Sequence, residues 1–351
     1  MTVQAHLDEY VEQAVDLFDR AVEATGGGPD CDLRIGGIPA RFCFAGSAMS
    51  DKILPAMRHL VVDEQVSPEL TLFSWDQQST GIALPPPNWD LLDFHDRANA
   101  RVSGDGRFSL CYERRLDLFS ITDLQRDVAI AWTHDAQMLP SDFQGTPLER
   151  LLQSWLKTKG LLVVHAGAVG VPGAGVLLAG RSGSGKSTTS VRAIESSLLY
   201  AGDDCALVEG GSEPKIHALY NSARLRRDAL EAIPAMEDVV VNPVRSRADK
   251  ALVFLDTFRP DQLATILPLR AVVLPRVRGS VDTEVTRAAP IEAYRAIAPD
   301  TALTMLGGDA RGVLALIKEL VSELPCYHLS LGTDSEGVTR ALQGLLAGEV
   351  R

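Results

Sequence analysis

Cysteine is scarce and scattered. The five residues, Cys31, Cys43, Cys111, Cys205 and Cys326, form no C-x-x-C pair and make an odd total, which excludes a disulfide framework and argues against a structural zinc site. Positive charge is in deficit: 34 Lys and Arg against 46 Asp and Glu leave a formal net charge of -12. No general attraction to nucleic acid or to an anionic membrane surface is expected from that balance. No apolar run approaches the roughly 18 residues of a membrane span. The opening MTVQAHLDEYVEQ carries Asp8, Glu9 and Glu12 where a secretory signal has positive charge followed by an apolar core, so a reducing cytoplasm is the expected setting. Internal repeats and low-complexity tracts are also missing.

What is present is an apolar fraction of 46% spread over 351 residues, enough for two globular domains of ordinary size. One stretch organises the chain. The apolar run Val176, Leu177, Leu178, Ala179 leads into Gly180, Arg181, Ser182, Gly183, Ser184, Gly185, Lys186, Ser187 and Thr188, after which helical periodicity sets in with Arg192 and Glu195 outward. This is strand, glycine-rich loop, helix, and it fits G-x-x-x-x-G-K-[ST] in full. Glycines let successive backbone N–H groups curl round a phosphate chain. The helix N-terminus adds positive potential, Lys186 reaches the outer phosphates and the Ser187 hydroxyl is placed for magnesium. ATP and Mg2+ are the expected ligands.

Before the loop, periodicity predicts a long amphipathic helix over 3–24 ending at Gly26, Gly27 and Gly28, a strand pair over 32–45 turning at Gly36 and Gly37, a helix over 53–62 and a strand over 69–75. Three short strands follow, at 108–112, 116–121 and 128–132. Residues 1–138 therefore read as a smaller α+β domain with an antiparallel sheet, and no motif in it carries chemistry. His59, His95 and His134 have no partner at metal-ligand spacing, and Pro85, Pro86 and Pro87 read as an extended surface connection. LPSDFQGT marks a boundary, with Thr146 expected to cap a helix that has Pro147 at its first position.

Beyond the boundary, residues 161–164 form a strand ending in His165. After the loop helix another apolar strand, 198–202, ends in Asp203 and Asp204. Two carboxylates at a neighbouring strand tip divide two tasks, one contacting the metal and one accepting the proton of an attacking hydroxyl, in an order the sequence leaves open. A basic cluster, Arg224, Arg226, Arg227, Arg245, Arg247 and Lys250, reads either as a solvated face or as a clamp for phosphoryl groups or an acidic substrate. No L-S-G-G-Q-like stretch follows the loop, which sets aside an ABC-type ATPase.

The ordered constellation HAGAV, GRSGSGKST and YAGDD resembles the catalytic domain of HPr kinase/phosphorylases and the wider group of HPr-kinase-like P-loop kinases, whose fold is close to the nucleotide site of phosphoenolpyruvate carboxykinases. The resemblance covers roughly residues 139–346, and the domain is drawn as 139–351. It implies an α/β P-loop kinase of that type, with Gly180 to Thr188 on the ATP phosphates, Lys186 neutralising them, Ser187 and Asp204 on the metal, Asp203 and Asp204 supplying the base and a metal contact, and His165 tuning the aspartates or touching the phosphoryl group. Thr188 stands where the bifunctional enzymes have glutamate, and no P-G-R-N-like signature follows, so the kinase reaction is implied and phosphorolysis is not. The implied acceptor is a hydroxyl, serine of a protein or peptide first and a small molecule second. A nucleotide-dependent switch is the competing expectation. Homo-oligomerisation is implied by the resemblance alone.

Overall fold

The structure is a computed structural model and describes residues 2–88, 95–97, 100–104, 106–181, 183–231, 233–244, 246, 249–304 and 310–349. The chain forms two compact units, Met1–Lys159 with Leu303–Asp309, and Gly160–Ala302 with Ala310–Arg351.

In the first unit, helix α1 (Val3–Thr25) buries Leu7, Tyr10, Val11, Ala14, Phe18 and Ala21 along one stripe. Thr2 caps its start by accepting from Ala5 N–H, and Gly26 ends it in the left-handed conformation. Eight strands follow: β1 (Asp30–Ile35), β2 (Ile38–Phe44), β3 (Thr71–Asp76), β4 (His95–Arg97), β5 (Ala100–Gly104), β6 (Phe108–Glu113), β7 (Leu118–Asp123) and β8 (Val128–Thr133). They form one sheet in the order β1-β2-β3-β8-β7-β6-β5-β4. The sheet is mixed rather than antiparallel as expected, because β3 runs parallel to both β2 and β8. Parallel neighbours need a crossover, supplied between β2 and β3 by helix α2 (Ser50–Met57) and between β3 and β8 by α3 (Gln77–Thr80) and the β4–β7 meander. The α1 stripe packs on Trp75, Phe108, Phe119, Ile121 and Ile130.

After α4 (Ser141–Gly145), helix α5 (Glu149–Thr158) departs from its expected start. Thr146 does not cap it: the helix follows buried Leu148 at φ 57, with no side-chain cap. Packing of Leu148 overrides the local cap signal. The same helix ties itself to the first unit. Trp155 Nε1 donates to Glu69 O at 3.1 Å, and Lys159 pairs with Glu69 at 3.2 Å. Buried Arg150 lies 3.5 Å from Glu113, so the compact units part after Lys159 rather than at 138/139.

The second unit holds β9 (Leu161–Val164), β10 (Gly167–Val171), β11 (Ala174–Leu178), α6 (Lys186–Ile194), β12 (Leu199–Gly202), β13 (Ala206–Glu209), β14 (Lys215–His217), β15 (Ser222–Leu225), α7 (Arg227–Glu231), β16 (Ala251–Phe254), α8 (Leu255–Phe258), β17 (Ile266–Val277), β18 (Glu284–Arg287), α9 (Pro290–Thr304), α10 (Ala310–Glu323), β19 (Cys326–Leu331) and α11 (Ser335–Leu346). The main sheet runs β12-β10-β11-β17-β14-β13-β9, with β19 on β17 and β18 on β19; β15 and β16 pair separately. Strands β11, β17 and β19 are parallel and β12 points the same way, being antiparallel to β10. One core joins β11, β17 and β19 to α11 through Val176, Leu178, Val273, Leu329, Val338 and Leu342. A second packs Val191 and Ile194 of α6 and Tyr200 of β12 on Ala223, Leu225 and Val253. The first fixes the strand that enters the glycine-rich loop, and the second fixes the helix that leaves it.

Candidate functional site

Residues 161–168 and 202–209 run antiparallel past one another in one register, which shifts by one residue between Ala168 and Val169. Val164 lies opposite Ala206, and Ala168 lies opposite Gly202. Between those pairs the ladder opens, and His165 on one side and Asp203 and Asp204 on the other fall in the opening. Ala166 N–H bonds back to Val164 O at 2.9 Å, a three-residue turn centred on His165. His165 N–H in turn donates to Thr301 Oγ1 of α9 at 3.1 Å. Gly167 is required by the closeness of the strands: a Cβ there would stand 2.5 Å from Ser190 Oγ and 3.2 Å from Asp203 O.

The opening lies at the end of the sheet where β11 feeds the loop. The aspartate strand is not the immediate neighbour of the loop strand, as the sequence led us to expect; β10 lies between them. The two antiparallel steps through β10 nevertheless bring the C-terminal ends of β11 and β12 to the same side. Ala179 N–H donates to Val273 O at 2.9 Å, anchoring the loop to β17. Gly185, at φ 105, stands before α6. The first turn of α6 has N–H groups with no partner inside the helix and carries the positive end of its dipole.

A cleft of about 520 Å3 is lined by Gly183, Gly185, Lys186, Ser187 and Thr188 from the loop and helix start, His165 and Asp204 from the ladder opening, and Arg224, Arg226 and Lys250 from the β15 and β16 region. Of the remaining loop residues, Gly180 is buried and accepts from Lys186 Nζ at 2.5 Å, Arg181 is exposed, and Ser184 Oγ is buried without a partner among the described residues. Ser182 lies outside the described residues. The basic cluster divides: Arg224, Arg226 and Lys250 line the cleft, Arg227 pairs with Glu231 at 3.0 Å on an exposed face, and Arg245 and Arg247 lie outside the described residues.

The two aspartates differ in environment. Asp203 is 2% exposed. It accepts from Arg224 N–H at 3.3 Å, while its Oδ1 is buried without a partner among the described residues; the nearby Ser187 hydroxyl favours its ionised form. Burial, reinforced by the Asp204 charge, pushes its carboxyl up to about 7. Asp204 instead lines the cleft, with Lys250 Nζ 3.5 Å and Arg224 Nη1 3.9 Å from its Oδ2. Ser187 and Asp204, the residues expected on the metal, both line the cleft. Lys186 is 6% exposed, and burial lowers its ammonium against the opposing pull of Asp204, Asp203 and Asp300. Burial also lowers the His165 imidazole, with Asp204 the largest opposing influence. Asp300 and Thr301 had no sequence signal, since α9 reaches this end of the sheet only through the fold.

Chemically, the cleft joins the glycine-rich loop and first turn of α6 with four cationic side chains and the Asp204 carboxylate, next in the chain to the buried Asp203. Among the described residues no group of three or more His, Cys, Asp and Glu side chains is placed to hold a metal by itself, and no helix is long and apolar enough to cross a membrane. No family model and no curated protein matches the chain. Among solved structures, the HPr(Ser) kinase/phosphatase from Coxiella burnetii is similar over 53% of this chain and 97% of that chain, at 7% identity and a TM-score of 0.30. A likeness of that size sets neither activity nor substrate.

Proposed function

We propose that the second unit is a phosphotransferase of the P-loop kinase type, which binds ATP with magnesium at the glycine-rich loop and transfers the γ-phosphoryl group to a hydroxyl. Serine of a protein or peptide is the favoured acceptor and a small-molecule alcohol the alternative. One observation carries this reading: Asp204 opens into the cleft that Lys186 and Ser187 also line, and the adjacent Asp203 is buried with its Oδ1 unpartnered among the described residues.

The loop N–H groups and the first turn of α6 hold the phosphate oxygens. Lys186, tethered to Gly180 O, holds its charge beside them. Ser187 Oγ and Asp203 would hold the magnesium ion; they are hard oxygen donors, and the unpartnered Asp203 Oδ1 matches an ion that takes one or two protein oxygens and leaves the rest to phosphate and water. When bound, that ion neutralises charge on the β- and γ-phosphate oxygens. Asp204 accepts the proton of the attacking hydroxyl late in a loose transfer, so it need not match the basicity of an alkoxide. Arg224 and Lys250 hold charge near the same carboxylate, and His165 lies in the same opening with burial favouring its neutral ring.

The test is to incubate the full chain with γ-labelled ATP, magnesium and a cell lysate, then identify by mass spectrometry which proteins or metabolites gain phosphate. The expected result is label on a hydroxyl, lost in Asp204→Asn while ATP binding persists. Tight ATP binding with no transfer to any component would instead favour a nucleotide-dependent switch.

A further inference from the structure

The first unit contains a cavity that the phosphotransferase reading does not use. It measures about 290 Å3, at the low end for small-molecule sites. One wall is a row of rings across three strands: Tyr112 on β6 lies opposite Phe119 on β7, which lies opposite Trp132 on β8. Residues directly opposed in a ladder share a face of the sheet, so the three rings stand side by side. Tyr10 of α1 meets Phe119 edge-on, with centroids 6.0 Å apart and planes at 87°. Its hydroxyl donates to Pro85 O at 2.8 Å, which pins the stiff Pro85–Pro87 run as the remaining wall.

Two polar features qualify this aromatic lining. Asp117 reaches the cavity from the exposed β6–β7 turn, and its carboxylate accepts the Tyr112 hydroxyl at 2.8 Å. No Lys or Arg is among the residues that line the cavity; at its edge, Arg101 lies opposite Tyr112 in the ladder and the Arg114 charge acts on the Tyr112 hydroxyl. Trp132 Nε1 is buried without an acceptor among the described residues. Aromatic faces and a carboxylate together attract an organic cation, since each ring presents a negative face. A neutral apolar ligand has no use for Asp117, and an anion is repelled by it. The unmet indole N–H calls for an oxygen acceptor on the same ligand.

We propose that this cavity binds a small, free organic ammonium ion bearing a hydroxyl or carbonyl oxygen, with the rings of Tyr10, Tyr112, Phe119 and Trp132 around the ammonium and Asp117 as its counter-charge. The first unit is then a ligand-sensing module on the same chain as the phosphotransferase site, and its binding does not depend on that site's assignment.

Isothermal titration of the full chain with choline and, separately, with its uncharged carbon isostere 3,3-dimethylbutan-1-ol tests this. Saturable one-to-one binding of choline is expected, with the isostere weaker by about tenfold or more. Asp117→Asn, a change at an exposed turn, is expected to weaken choline by roughly fivefold or more while leaving the far-ultraviolet circular dichroism unchanged. Equal binding of charged and uncharged probes, no saturable choline binding, or an Asp117→Asn protein that binds choline as tightly as the parent would each overturn the proposal.

Discussion

The Ser187 hydroxyl lies close enough to the Asp203 carboxylate to favour its ionised form, and Oδ1 of that carboxylate is buried with no partner among the described residues. These two residues come from the first turn of α6 and the end of β12, strands apart in the sheet, and their meeting depends on β10 carrying the chain between them. A buried carboxylate with one unmet oxygen destabilises a fold when ionised. It is the kind of feature that persists where a ligand supplies the missing partner.

Asp203 should therefore leave a signature in the pH dependence of stability. Its folded carboxyl ionises at about 7, against about 3.9 in an unfolded chain. Between about pH 4 and 7 the folded protein keeps a proton that the unfolded chain has lost, so this group makes stability fall as pH rises through that window. Thermal unfolding in a chelator, followed from about pH 5 to about pH 8, should show this decline in the parent. In Asp203→Asn it should be reduced, with a higher Tm at the alkaline end and a loss of the magnesium dependence of ATP binding. An unchanged pH slope would remove Asp203 as its source.

Asp204→Asn separates binding from chemistry. The carboxylate lines the cleft and is not the one whose ionised form Ser187 favours, so its neutral isostere should leave ATP affinity within about threefold while transfer to a hydroxyl acceptor slows by roughly 10²–10⁴-fold. Filter binding of labelled ATP and initial rates on the same preparation give both numbers. Full transfer activity would exclude Asp204 as the base.

The parts of the site that could be read in advance are those in which one short segment carries the geometry. Strand, glycines, lysine and serine are contiguous, and the loop-to-helix transition occurs where the motif puts it, with α6 starting at Lys186. His165 and the aspartate pair were legible as residues at strand ends. Their relation was not, because strand order is a long-range property: β10 and β11 form a hairpin with Gly167 opposite Leu178, and that hairpin separates β12 from β11. The same blindness hid the parallel pairing of β3 with β2 and β8, since side-chain alternation is identical in parallel and antiparallel strands. Which aspartate is buried also depends on neighbours far along the chain, here Arg224 and Ser187 for Asp203 and Lys250 for Asp204.

His165 offers a direct reading of the field inside the opening. Burial lowers its imidazole below the ordinary 6.5, and the Asp204 charge is the largest influence working the other way. Removing that charge in Asp204→Asn should move the His165 midpoint lower still, by the sign of the lost attraction. Removing an opposing cation in Lys250→Met should move it up. Titration of the imidazole Cε1–H resonance by NMR measures both, and opposite or absent shifts would mean that His165 does not share a field with Asp204.

The glycines of the loop are not equivalent, and stability measurements should rank them. Gly183 and Gly185 both have positive φ, 82° and 105°, so alanine at either costs backbone strain on the order of 1–2 kcal/mol. At Gly183 a new Cβ meets nothing within 4 Å, whereas at Gly185 it would stand 2.3 Å from Leu331 Cδ1. Leu331 belongs to β19 and to the core that holds β11 and β17 in place. Relief therefore requires the end of the Leu331 side chain to move within that packed core. Gly185→Ala should lower the denaturant midpoint of the second unit by the equivalent of about 2–4 kcal/mol and abolish measurable ATP binding, while Gly183→Ala costs about 1 kcal/mol and weakens ATP less. Equal losses at the two positions would mean that contact with Leu331 adds nothing to the strain, and that the loop is held by its own backbone alone.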